Sequence, residues 1–359
     1  MPTPRPMPAL PKIAEMCRAM LARDESYDGV FFIAVKTTGI FCRPGCPARK
    51  PLPKNVEYFG SAREALLAGY RPCKRCRPLD ANGLPPPWVR RLLAKVDANP
   101  TGRINDRDLR AIQIDPARAR RFFNKNYGMT FQAYQRSRRM GLALAEVRRG
   151  ADATTIGLNH GYESTSGFRD AFAKIFGAPP GKARAADCIV TSWLTSPIGP
   201  LLVGATSEGL CLLEFTDRRA IEKQIAVLRR RVDRPIIPGK NAHLARVEDE
   251  LARYFDGRLT QFKTPLVISG SPFQEKVWRR LLEIPYGRTC SYDDMARDIG
   301  RPLARRAVGR ANGDNRIAIV IPCHRVIRAD GTLSGYGGGV WRKQFLLDLE
   351  RRTGELSQR

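Results

Sequence analysis

The sequence predicts a multidomain α+β protein, and three observations carry that expectation. The chain has 359 residues, more than one hydrophobic core usually serves. Two proline-rich breaks divide it, one at Pro85-Pro86-Pro87 and one running from Pro179 to Arg184. The apolar period also changes at the second break. It is helical before it, gives way to short apolar runs between turn residues just after it, and is helical again further on.

Between the breaks, helical patterns cover 88–96, 106–112, 116–127, 131–149, 154–158 and 164–176. Past Asp187, the stretches 189–194, 199–205 and 209–215 have turn residues between them and read as short strands. Helices are expected again at 219–231, 243–255 and 271–282, the last with Ser271 as its cap. Another begins at Ser291, and 305–313 forms a helix rich in small residues. The β-branched run 317–321 reads as a strand leading into Pro322-Cys323-His324-Arg325. Leu346-Leu347-Asp348-Leu349-Glu350 sits on a helix near the end.

Lys and Arg total 62 against 35 Asp and Glu, a net charge of +27. By residue count the excess is spread as +7 over 1–82, +10 over 83–187 and +10 over 188–359. Positive charge on every segment points to a polyanion that touches all of them, and nucleic acid is the default. No apolar run approaches the ~20 residues needed to span a bilayer. The N-terminal residues lack the apolar core of a signal peptide. Nine cysteines, an odd number with four at metal-like spacing, fit a reducing cytoplasm rather than disulfides.

Those four are Cys42, Cys46, Cys73 and Cys76, spaced C-x3-C, 26 residues, C-x2-C. Two chelating pairs on separate turns can close a tetrahedral thiolate site, for which zinc is the usual occupant. Arg43, Arg49, Lys50, Arg71, Lys74, Arg75 and Arg77 crowd the ligands. They offset the formal charge of about −2 on a zinc tetrathiolate and can hold a phosphate backbone. The stretches Gly39–Arg49 and Arg71–Pro78 resemble the N-terminal domain of the bacterial Ada adaptive-response family. The resemblance implies that Cys42 is both zinc ligand and acceptor of a methyl group from DNA methylphosphotriesters.

Residues 88–182 fit paired helix-turn-helix units. The first exposes Arg118, Arg120 and Arg121 on its second helix; the second opens its own with Ser164-Thr165-Ser166, suited to capping and phosphate contact. The stretches at 161–164 and 168–181, including Arg169, resemble the AraC-type DNA-binding domain. Phe122, Phe123, Phe168, Phe172 and Phe176 read as core, and His160 as a turn or packing residue.

The Cys323-His324 pair alone reads more readily as a buried structural cysteine than as a nucleophile. The order of motifs over 188–352 resembles the O6-alkylguanine-DNA alkyltransferases. The resemblance implies that Cys323 accepts the alkyl group, that His324 deprotonates it through a water, and that Glu350 orients His324. It further implies that Tyr292 protonates the leaving guanine, that Arg306 fills the gap left by the flipped base, and that Asn315 holds the active-site turn. Read singly, Glu350 could be a surface charge, Tyr292 core, and Arg306 a phosphate contact. Gly337 departs from relatives that carry a serine near the guanine O6. Cys17, Cys188, Cys211 and Cys290 read as reduced packing thiols.

These readings together give a small zinc-centred α/β domain at 1–84, an all-α double helix-turn-helix domain at 85–183, a small β-sheet subdomain at 188–265, and a winged-helix-like alkyltransferase domain at 266–355. The expected DNA contacts are Arg306, Arg43, Arg118, Arg121, Ser164 and Arg169. The implied partners are alkylated and promoter DNA, both double-stranded, and RNA polymerase, with one zinc ion bound to a monomer. Methylated Cys42 is expected to raise promoter affinity by removing about one negative charge. Two rival readings use the same residues: a regulator with a purely structural zinc site, and a zinc redox sensor in which Cys42 and Cys46 oxidise. Tyr292, Arg306 and Glu350 speak against both, because sensing needs no machinery for flipping a base.

Overall fold

The computed structural model describes residues 10–79, 85–183, 185–218, 221–333 and 335–356. The first nine proline-rich residues, the end of the second break at Arg184, the domain limit at 84 and the helix start at 219 lie outside them.

The first unit opens with helix α1 (Ile13–Ala22), which buries Met16, Ala19 and Met20. A four-stranded sheet follows, ordered β3-β1-β2-β4, from β1 (Phe32–Val35), β2 (Ile40–Cys42), β3 (Val56–Phe59) and β4 (Arg71–Pro72), with α2 (Ala62–Leu67) between the last two. β2 and β4 run parallel, pairing Ile40 with Arg71 and Phe41 with Pro72. That register brings the chain at Cys42 beside the chain at Cys73.

Six helices form the second unit: α3 (Pro87–Ala98), α4 (Asp106–Ala111), α5 (Pro116–Tyr127), α6 (Phe131–Arg148), α7 (Ala153–Asn159) and α8 (Thr165–Phe176). Their ends follow capping chemistry. Asp115 accepts from the Ala117 and Arg118 N–H groups at the start of α5, where Pro116 fills the first turn without needing a donor of its own. Gly128 then ends α5 in the left-handed region, at φ 64°. Ser164 caps α8 by accepting from Gly167 N. The two helix-turn-helix pairs are therefore α4–α5 and α7–α8, with α6 as the spine between them.

The second sheet is ordered β7-β6-β5-β8, from β5 (Ile189–Leu194), β6 (Leu201–Ala205), β7 (Leu210–Phe215) and β8 (Ile236–Pro238), with α9 (Ile221–Val232) crossing between β7 and β8. β7 is buried at every position. The sheet is covered on one side by α10 (Ala242–Phe255), which packs on β6 and β5, and by the helices beyond. On the other side, Leu202, Leu212 and Ile236 share a core with Trp88, Phe123 and Tyr134 of the helical unit. The Phe122 ring stacks 6.4 Å from Trp193 across that boundary.

The last unit comprises α11 (Pro272–Leu282), β9 (Cys290–Ser291), α12 (Tyr292–Asp298), α13 (Arg305–Gly313), β10 (Val326–Ile327) and α14 (Val340–Leu356), with β9 and β10 paired in parallel. Ser271 with Gln274, and Ser291 with Asp294, form reciprocal capping boxes on α11 and α12. Trp341, at the start of α14, packs against the core of the first unit and donates its indole N–H to Ser26 O.

One expectation is corrected here. Residues 317–321 do not form a strand; only Ile317 makes a bridge, to Leu213. The chain instead turns back on itself, with Ile321 N bonding Ile317 O at 2.9 Å and Ile319 at φ +71°. All five side chains are buried, so a fully apolar run satisfied a tight buried turn as well as it would a central strand.

Candidate functional site

Pro322 ends the buried turn, and Cys323, His324 and Arg325 follow as a single 3-10 turn. Asn315 fastens the turn from within. Its Oδ1 accepts from Ile317 N at 2.9 Å, and its Nδ2 donates to Ile321 O at 2.9 Å and to Cys323 Sγ at 3.2 Å. Asn312, on the last turn of α13, donates to Cys323 O at 3.1 Å. Burial pushes the Cys323 thiol up, and the Asn315 hydrogen bond opposes that shift by favouring the thiolate.

His324 and Glu350 are both fully buried, so Glu350 is no surface charge. His324 Nε2 lies 2.9 Å from Glu350 Oε1. With that nitrogen donating, Nδ1 is the free acceptor; it is buried and has no hydrogen-bond partner among the described residues. Burial pushes His324 down, with Glu350 partly opposing, so the imidazole is neutral and able to take a proton. Burial alone would push Glu350 up, but the hydrogen bonds from His324 and Arg325 and the Arg325 charge outweigh it and hold the carboxylate well below its usual range.

Three residues here carried no expected role. Arg325 donates to Glu350 through Nε and Nη2, both at 2.9 Å. The Tyr254 hydroxyl donates to Glu350 Oε1 at 2.7 Å. Lys343 is fully buried, donates to Val326 O, and stands with Nζ 5.8 Å from the centre of the Tyr292 ring. Burial brings Lys343 down to about 8. Its signal was present in the sequence: Lys343, Leu346, Leu347 and Glu350 fall at i, i+3, i+4 and i+7, placing two charges on an apolar helix face. Arg306 is exposed on α13 and makes no hydrogen bond or ion pair among the described residues.

Gly337 faces the Arg218 guanidinium; a Cβ there would lie 2.8 Å from Arg218 Cζ. Arg218 in turn pairs with the buried Glu214 and donates to the carbonyls of Gly313 and Asn315. A serine at 337 would require that arginine to move.

In the first unit the sulfurs of Cys42, Cys46, Cys73 and Cys76 all lie within 4.8 Å of one another. A tetrahedral zinc with Zn–S bonds near 2.3 Å needs sulfurs about 3.8 Å apart, so the cluster is of the right size. The turns are built locally: Cys46 N bonds Arg43 O, Arg77 N bonds Cys73 O, and Arg43 N points at Cys76 Sγ at 3.4 Å. Asp28 receives Gly45 N at 2.7 Å and so anchors the first turn. Hydrogen bonding to Cys46 and Cys76 pushes the Cys42 thiol far up, while the same network pushes Cys46 down. Without a cation only part of the cluster can ionise, and a doubly charged ion removes that penalty.

The helical unit presents its expected contacts unevenly. Arg169 is exposed near the start of α8, and Ser164 Oγ is engaged in the cap. The Arg118 guanidinium is turned onto Trp88, 4.8 Å from the ring centre, and Arg121 Nη2 is 3.9 Å from Asp115. His160 is buried against Glu146 at 2.9 Å, as a packing residue would be. Cys188 and Cys211 are buried; Cys17 and Cys290 are partly so.

Family models match consecutive stretches of the chain: the metal binding domain of Ada over 15–79, a helix-turn-helix domain over 109–186, and the ribonuclease-like and DNA-binding domains of 6-O-methylguanine DNA methyltransferase over 189–268 and 272–352. The bifunctional transcriptional activator/DNA repair enzyme Ada of Escherichia coli is 35% identical over 358 residues, covering 94% of this chain and 96% of that protein. The regulatory protein ada of Salmonella typhimurium is 36% identical over 354 residues, covering 93% and 95%. A crystal structure of Mycobacterium tuberculosis OGT in complex with DNA is 40% identical, with a TM-score of 0.40, and covers 46% of this chain and 94% of that one.

The matched domains define the class: a DNA-repair methyltransferase joined to a helix-turn-helix regulator and a zinc-binding domain. The chain belongs to the Ada family.

Proposed function

We propose that Cys323 takes the alkyl group from O6-alkylguanine and that Cys42 takes a methyl from DNA methylphosphotriesters, each once. The observation that carries the first assignment is a pair of buried contacts on adjacent residues: Asn315 donates to Cys323 Sγ, and His324 Nε2 pairs with Glu350. His324 removes the thiol proton, through a bridging water. The thiolate attacks the alkyl carbon, an S–C bond forms, and the C–O6 bond breaks with its electron pair going to the guanine. The leaving base takes a proton, for which Tyr292 is the assigned donor. Glu350 fixes the imidazole and stabilises the imidazolium that forms. Arg306 occupies the space vacated by the flipped base. A thioether has no easy leaving route, so the protein is consumed.

Cys42, Cys46, Cys73 and Cys76 would hold the zinc, which keeps the thiolates ionised without a separate base. Arg43 lies beside them and is assigned to the phosphate backbone, as Arg118, Arg121, Ser164 and Arg169 are in the helical unit. Methylation of Cys42 lowers the negative charge facing DNA and so raises promoter affinity. As a regulator of this kind the protein meets RNA polymerase at the promoter; the Escherichia coli relative is named a transcriptional activator. Every proposed site is complete within one chain, so a monomer suffices. The cytoplasm is the compartment that keeps these thiols reduced. The domain limits proposed are 1–84, 85–183, 188–265 and 266–355, supported by the spans of the four family matches.

Intact-mass measurement after incubation with a duplex carrying O6-methylguanine tests the first assignment. The unmodified protein should gain one methyl group and Cys323→Ala none. A methyl gained by Cys323→Ala would overturn it.

A further inference from the structure

The turn before α13 raises an apolar side chain into solvent for which nothing in the fold accounts. Leu303 is 99% exposed, the highest value among the large hydrophobic residues described. It is not on a loose loop. Gly300 ends α12 in the left-handed region at φ +68°, Arg301 N bonds Ala296 O at 2.8 Å, and Ala304 N bonds Arg301 O at 2.8 Å. Pro302 fixes the second position of that closed turn, so Leu303 is held out at its tip.

The neighbours say what it faces. Arg306, Ala307 and Arg310 share a face of α13 at i, i+1 and i+4 and are exposed, and Leu303 stands exposed in the turn that leads into that helix. Val308 and Ala311, on the opposite side of α13, are buried against the core. The exposed stripe therefore combines one large apolar group, two arginines and a small residue that lets a surface come close. A protein partner would need separate acidic groups placed for both arginines beside a pocket for one leucine. A nucleic-acid backbone supplies acceptors for both, and the apolar group then meets the base stack. Side chains such as leucine that enter a base step from the minor groove unstack it and bend the duplex.

We propose that Leu303 is a wedge that enters the base stack beside the lesion and holds the duplex open while Arg306 fills the vacated position. This rests on the reading of α13 as the DNA-facing helix. In that arrangement the apolar group takes part of the cost of unstacking, and the arginine takes the place of the absent base.

The test uses the full-length zinc-loaded protein and three variants, Leu303→Ser, Leu303→Met and Arg306→Ala. Single-turnover methyl transfer is followed from O6-methylguanine in a duplex and in the same strand alone, where there is no duplex to open. Leu303→Ser should slow transfer from the duplex about tenfold, leave the single strand much less affected, and be largely rescued by Leu303→Met. A 2-aminopurine beside the lesion should brighten less with Leu303→Ser than with the unmodified protein. If Leu303→Ser matches the unmodified protein on the duplex while Arg306→Ala is slow, the wedge is wrong and the DNA-facing helix stands. If both variants are as fast as the unmodified protein, the reading of α13 itself fails. Equal slowing of Leu303→Ser on duplex and single strand would also overturn the wedge, by placing the defect in the pocket or the fold.

Discussion

Glu350 is met by donors from four residues: His324, Arg325, Tyr254 and Gly287 N at 3.1 Å. Such a carboxylate serves stability and chemistry together. Replacing it by glutamine leaves the buried Arg325 charge uncompensated, which costs about 3–5 kcal/mol of folding stability, read as a lower urea midpoint. The chemistry has its own signature in pH. His324 sits below its ordinary value of 6.5 because burial disfavours the imidazolium. The unfolded chain therefore binds the proton first, so the stability held by neutral His324 is complete above pH 6.5 and is lost as pH falls below it. For the same reason transfer to Cys323 should not drop with a midpoint at 6.5; its acid limb should lie lower. A midpoint at or above 6.5 would mean that a solvent-exposed base, not buried His324, takes the proton. Candidate residues stood out where a residue type is rare in its surroundings, as with Cys323, His324 and the four clustered cysteines, and the fold gathers each set together. Arg325 and Tyr254 were not, because neither their type nor their spacing marks them until the fold gathers them round Glu350.

At the level of elements the sequence was most readable where capping chemistry is explicit. Pro116 to Tyr127 is bounded by an aspartate cap, a first-turn proline and a glycine stop, and α5 has those limits. It was least readable at 317–321, where five apolar residues without periodicity fit a strand and a buried turn equally, and tertiary contacts decided. The caps also give an element-scale expectation. Asp115→Ala removes the acceptor for two N–H groups at the start of α5 and should cost about 1 kcal/mol of stability. Promoter affinity should weaken in a footprinting titration, while methyl transfer to Cys323 keeps its rate. A loss of transfer as large as the loss of promoter binding would show that α5 and the cysteine site are not separable functions. The two pack against the same sheet but in separate cores, which is why their functions are expected to separate.

Across the whole molecule a net charge of +27 is distributed along the chain, and the holds on DNA proposed above are the metal-thiolate site, the two helix-turn-helix pairs and the exposed face of α13. The charge was legible from composition alone. How the units lean on one another was not, since Trp341 on Ser26 and Phe122 on Trp193 join residues far apart in the chain with no pattern between them. The division of labour among units is the central claim, and location of the transferred methyl tests it most directly. Zinc-loaded protein is incubated with DNA carrying tritiated methyl groups on both phosphates and guanine O6, then digested and mapped, with a parallel sample stripped by a chelator. The account predicts one label each on Cys42 and Cys323 in the loaded protein, and label on Cys323 alone after stripping. Label on Cys323 alone in the loaded protein would make the zinc site structural and remove the switch, and label on neither would contradict repair by this chain altogether.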